Sequence, residues 1–181
     1  MKLQSNPVAR FTFALTLCSI ALFGCSEQND PVSNSSTTPL PDSLFVDSVI
    51  DGAQPINDLK ASSKEGDEVV VEVVVGGSRE PIVVGRASAF IVDAGLYNKC
   101  LSVDDHCAEP WDYCCAPPEE LKASMANLQV VDADGRVLSA NLSDKIKPLS
   151  KLLVRGVVGP RPDPQVLTIN ATAIYIQPDK P

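Results

Sequence analysis

The sequence predicts a mostly β domain, and three observations carry that prediction. Short runs rich in Val, Ile, Leu and Thr recur along the second two thirds of the chain. Turn residues, chiefly Gly, Pro, Asn and Asp, bound each run, and several runs alternate apolar with polar positions. Such a pattern reads as a small antiparallel barrel or, alternatively, a small β-sandwich. It also predicts one short helix and one cysteine-rich loop insertion at 97–118.

In chain order, residues 68–75 form a near-continuous valine run that stops at Gly76-Gly77. In 87–93, Ala87, Ala89 and Ile91 share one face, and Ser88, Phe90 and Val92 share the other. Residues 128–132 and 136–140 flank Ala133-Asp134-Gly135, which reads as a hairpin with a glycine available for positive φ. A strand follows at 152–158. The last runs from 167 to 176, where Thr168, Asn170 and Thr172 alternate with Leu167, Ile169 and Ala171. Pro117, Pro118 and two glutamates stand where a first helical turn favours them, so a short helix is expected within 116–125. Gly76-Gly77 and Gly156 read as bends or points of close packing.

The order of these runs resembles the OB-fold over roughly 110 residues. The matching residues are 69–76, then Phe90-Ile91-Val92-Asp93, then 128–132, then Leu152-Leu153-Val154-Arg155-Gly156-Val157-Val158, and finally 167–176. The helix usual between the third and fourth strands is not apparent, and Pro148 lies in that connection. OB-folds often bind oligonucleotides or oligosaccharides on one sheet face, using aromatic side chains. Here three of the five domain aromatics, Tyr97, Trp111 and Tyr113, gather in or beside the cysteine loop; Phe90 and Tyr175 are the others. Charge also speaks against a polyanion. The whole chain carries −8, and residues 66–181 hold 11 Lys and Arg against 16 Asp and Glu, or −5. No basic stripe is present to neutralise phosphates, so no nucleic-acid partner is expected.

The first residues have a different character. Lys2 and Arg10 precede an apolar run at 11–23, too short to cross about 30 Å of hydrocarbon as a helix. The run ends in Leu22-Phe23-Gly24-Cys25, which resembles the lipobox of bacterial lipoprotein signal peptides, although Phe23 is bulkier than the residue usual there. The resemblance implies that residues 1–24 are removed, with Cys18 among them, and that Cys25 is acylated and becomes the first residue. Ser26, in place of Asp, implies an outer-membrane destination. The partner implied is therefore the membrane itself, reached through two acyl chains, which anchor stably where one is marginal. Residues 25–65 are rich in Ser, Asn, Asp, Pro and Thr and are expected to form a disordered tether, with 66–181 as the domain. Within the tether, Leu44-Phe45-Val46 with Val49-Ile50 is an apolar interruption that either docks on the domain or is a transient patch.

The cysteine loop is the distinctive chemistry. Cys100, Cys107, Cys114 and Cys115 are interspersed with Asp104, Asp105, His106, Glu109, Trp111 and Asp112. The first reading is two disulfides, since exported thiols tend to be oxidised and four is an even number. A Cys114–Cys115 bridge would strain its ring, which leaves two connectivities, each neighbour taking one of Cys100 and Cys107. A second reading is a zinc or copper site using the cysteines and His106, the single histidine. Its spacing differs from paired C-x2-C ligands, and adjacent ligands strain one tetrahedron. A third is a redox pair, for which C-x-x-C and a local cation other than Lys99 are missing. Trp111 and Tyr113 read most simply as apolar covers; a ligand-binding role for Trp111, Tyr113 and His106 is the sharper alternative. The acidic pairs Asp104-Asp105 and Glu119-Glu120 are explained by a solvated loop and a helix N-terminus.

No P-loop, dinucleotide fingerprint or G-x-S-x-G context appears. One histidine among dispersed acids does not make a convergent catalytic set, so no enzyme activity and no cofactor are expected. The expectation is a lipid-anchored envelope module that binds an envelope protein or small ligand. A zinc- or copper-handling domain is the alternative, and an oligonucleotide-binding module, disfavoured by the acidic charge, is a second.

Overall fold

Five strands close into a barrel in the computed structural model, which describes residues 38–102 and 106–178. Cys25, the export segment, Asp104 and Asp105 lie outside the described residues. The strands are β1 (Glu68–Val75), β2 (Ser88–Asp93), β3 (Met125–Gln129), β4 (Lys151–Val158) and β5 (Thr168–Ile176). Their order around the barrel is β1-β2-β3-β5-β4, with β4 pairing back onto β1. This is an OB-like barrel, as expected.

One pair departs from the antiparallel expectation. β3 and β5 run parallel while the other four pairs are antiparallel. Parity requires it, because a ring with an odd number of strands cannot alternate direction throughout.

Strand alternation puts the core inside the ring. Val69, Val71, Val73 and Val75 of β1 point inward, where Ile91, Leu128, Leu152, Val154, Ile169 and Ile174 meet them. The register of β4 against β5 shifts between Arg155 and Gly156, a bulge that sharpens the curvature needed for closure. At Gly156 a Cβ would lie 2.5 Å from the Asn170 carbonyl oxygen, so the two strands approach there only because this residue has no side chain.

The anticipated hairpin turn forms in place, with the Asp132 amide donating to the Arg136 carbonyl at 2.8 Å and the Leu138 amide to the Val130 carbonyl at 2.9 Å, but its limbs are not barrel strands. β3 occupies Met125–Gln129, and the anticipated second strand at 136–140 contributes an isolated bridge, Val131 to Val137. The Asp132 carboxylate accepts hydrogen bonds from the Asp134 and Arg136 amides, both 2.9 Å, and so tightens the turn locally. These contacts with Arg136 hold the Asp132 carboxyl below the usual carboxylate range. Helix α2 (Pro118–Ser124) forms where it was expected, with Glu119 and Glu120 exposed in its first turn.

The largest difference concerns residues 38–65, read above as part of a disordered tether. Leu44, Ile50, Ile56 and Leu59 are 3%, 5%, 0% and 2% exposed. The Val46 amide donates to the Ile174 carbonyl and the Gln54 amide to the Val70 carbonyl, both 2.9 Å. A second helix, α1 (Ile56–Ser62), covers the barrel end where β2 and β4 finish: the Ile56 amide donates to Asp93 Oδ2 at 2.8 Å. At its other terminus Arg161, in the β4–β5 loop, donates to the Ser63 carbonyl at 2.6 Å and the Lys60 carbonyl at 2.9 Å. The guanidinium thus satisfies carbonyls that the helix end leaves open. The opposite barrel end is closed by Leu142 and Ile146 in the β3–β4 connection, which holds a single 3-10 turn, Leu142–Asp144, and no α-helix. Mean composition hid the anchoring role of 38–65, because a few well-spaced apolar side chains bind it amid Ser, Asn and Pro.

Candidate functional site

The 97–118 insertion lies between β2, which ends at Asp93, and β3, which it reaches through α2, and it packs on the Gly76–Arg79 segment that follows β1. Its course is set by side chain to backbone bonds. Asn98 accepts from the Cys100 amide at 3.0 Å and donates through Nδ2 to the Pro110 carbonyl at 2.7 Å, pinning the two limbs together. The Gly77 amide donates to the Trp111 carbonyl at 2.8 Å, and the Trp111 indole Nε1 donates to the Arg79 carbonyl at 3.0 Å. Arg79 and Glu109 add an ion pair at 2.9 Å that is mostly exposed and so contributes little.

Tyr113 adopts the left-handed conformation with φ of 58°, and its ring is buried against Gly76. A Cβ at Gly76 would meet the Trp111 carbonyl oxygen at 2.6 Å, which explains why the β1 turn needs glycine there. Burial pushes the Tyr113 phenol up from its ordinary value. Tyr113 is therefore an apolar cover beneath the loop. Trp111 is half-buried with its N–H engaged by the protein, and His106 is exposed at the surface.

The four cysteines come together around one sulfur. Cys114 Sγ lies 3.7 Å from Cys100 Sγ, 3.7 Å from Cys107 Sγ and 3.9 Å from Cys115 Sγ. These are contact distances, well beyond the roughly 2.05 Å of a disulfide, and all four thiols are free. Cys100, Cys114 and Cys115 form one set within 4.8 Å of one another; Cys107 joins Cys114 and Asp112 in a second. Only Cys100 is buried. The arrangement has two chemical capacities: oxidation to bridges, or capture of a soft ion by thiolates with Asp112 as an auxiliary oxygen. His106 belongs to neither set, so the imidazole of the zinc or copper reading does not join the sulfur cluster. Hydrogen bonding to Asp112, and then to the other cysteines, raises the Cys114 pKa strongly. That keeps it a protonated thiol at neutral pH, the opposite of an activated nucleophile.

Sequence reasoning missed a second feature. A cleft of about 420 Å³ opens on the outer side of β2 and β3, bounded by α1, α2 and the β4–β5 loop. Phe90, Leu121, Met125 and Val166 give it apolar walls, with Lys60 and Lys122 at its edge. Burial and the neighbouring charges of Arg161 and Lys122 lower the Lys60 pKa, and its Nζ donates to the Lys122 carbonyl at 2.6 Å. The signal available in the sequence was Phe90 on the outward face of its strand; the other walls come from segments distant along the chain. Among the described residues no helix is long and apolar enough to cross a membrane.

Comparison with known protein families, curated proteins and solved structures returns no match.

Proposed function

We propose that this chain is an exported lipoprotein, anchored through acyl chains on Cys25, whose barrel is a non-catalytic module that binds a small apolar ligand or an apolar partner segment. The cleft over β2 and β3 carries the binding half of this reading. Its volume falls within the range of small-molecule sites, and apolar walls with few polar groups at the edge suit hydrophobic capture. The residues of the Leu22-Phe23-Gly24-Cys25 tetrapeptide support the anchoring half. In this reading the cysteine loop is a staple that braces the Gly76–Arg79 turn after β1.

Binding is tested with 1-anilinonaphthalene-8-sulfonate, an apolar fluorophore. Saturable fluorescence is expected with the native chain. Val166→Glu and Leu121→Glu each place a carboxylate in the cleft and should weaken the probe by about tenfold, because the substitution removes apolar wall and the new charge repels the probe's sulfonate. Val166 is exposed and Leu121 half-buried, so the thermal midpoint should stay near that of the native chain. Equal affinity in both variants would remove the cleft from the proposal. Anchoring is tested separately by Cys25→Ala, which should abolish fatty-acid labelling and move the protein from the membrane to the soluble fraction. Labelling that survives the substitution would contradict it.

A further inference from the structure

We infer that the loop matures into two nested disulfides, Cys107–Cys114 and Cys100–Cys115. Elimination on the sulfur positions leads there. Vicinal bridging of Cys114 and Cys115 is disfavoured by ring strain, leaving two ways to pair four thiols. Cys107 contacts Cys114 at 3.7 Å and lies outside the set that Cys100, Cys114 and Cys115 form. Its one sulfur partner within reach is therefore Cys114. Cys115 and Cys100, within 4.8 Å of each other, are then left to join. The alternative, Cys100–Cys114 with Cys107–Cys115, begins with an equally short contact but requires the longer second closure.

The chemistry balances with any disulfide donor. In each bridge two thiols lose two protons and two electrons; the donor disulfide takes both and leaves as two thiols. Glutathione disulfide serves in vitro, so the test is independent of export. Exposure further orders the bridges. Cys114 and Cys115 are exposed, Cys107 is half-exposed and Cys100 is buried, so a mild reductant can reach both sulfurs of the inner Cys107–Cys114 bridge but only one of the outer, and the inner bridge opens first. The Cys100–Cys115 bridge then keeps the two ends of the insertion together.

The experiment uses the full chain with Cys18 and Cys25 replaced by serine, exposed to glutathione disulfide and read by intact mass after maleimide treatment, with maleimide and glutathione adducts both counted as unpaired thiols. The parent should show none. Cys107→Ser with Cys114→Ser, and Cys100→Ser with Cys115→Ser, should each also show none, because each removes one whole bridge. Cys100→Ser with Cys114→Ser should show two. The reverse assignment, zero thiols in every double variant, or four thiols with stoichiometric zinc or copper in the parent would each overturn the inference. A measurement without substitution covers variants that fail to fold. Limiting reductant followed by alkylation of the parent should label Cys107 and Cys114 together, ahead of Cys100 and Cys115. Joint labelling of Cys100 and Cys114 would refute the pairing.

Discussion

A chain beginning at residue 66 is expected to remain unfolded, whereas one beginning at residue 38 should fold cooperatively. Leu44, Ile50, Ile56 and Leu59 are all nearly inaccessible, and each buried side chain of this size contributes about 1.5–3 kcal/mol. Together they approach the whole stability of an ordinary domain, about 5–15 kcal/mol. Their loss also opens the barrel end beneath α1 and strips Arg161 of the Ser63 and Lys60 carbonyls that satisfy it. The single substitution Leu59→Ala isolates the packing contribution and should cost about 2–5 kcal/mol in urea melts. A shorter chain that melts cooperatively with the native midpoint would show that residues 38–65 are dispensable after all.

Gly156→Val should destabilise the barrel by about 3 kcal/mol or more, at the upper end of what overpacking costs. The Cβ alone would sit 2.5 Å from the Asn170 carbonyl oxygen and 2.6 Å from Ile169 Cγ2. The oxygen belongs to the paired strand and cannot yield without breaking the β4–β5 ladder at its bulge. Gly135→Asn is the control. That turn has φ of 79° with open space around it, a conformation asparagine tolerates, so its melt should shift by no more than about 0.5 kcal/mol. Equal shifts in the two variants would show that close strand approach is not what Gly156 provides.

Helix α2 illustrates what local sequence can reveal. Two prolines and two glutamates mark its start without help from the rest of the chain, and Pro118–Ser124 is helical. The inward valines of β1 were equally readable, since alternation against a buried face is a property of the strand alone. Gly76 and Gly156 were legible as close-packing positions, yet not the atoms they approach, the Trp111 carbonyl oxygen and the Asn170 carbonyl oxygen. Helix α1 was not legible: seven residues in a Ser-, Asn- and Pro-rich stretch carry little helical preference, and Ile56 and Leu59 show their value only against the barrel end. The cleft escaped for a related reason, since Lys60, Phe90, Met125 and Val166 come from four separate segments.

Residue types and local periods were enough to settle the strand-rich character, the acidic surface, the position of the second helix and the existence of a cysteine loop. Those properties depend on neighbours within a few positions. The parallel β3–β5 pair and the capture of residues 38–65 depend on closure of the ring, while the gathering of sulfurs around Cys114, apart from His106, depends on the folded course of the insertion. Closure brings residues far apart in the chain to contact distance, and the free energy of those contacts is invisible until both partners are in place.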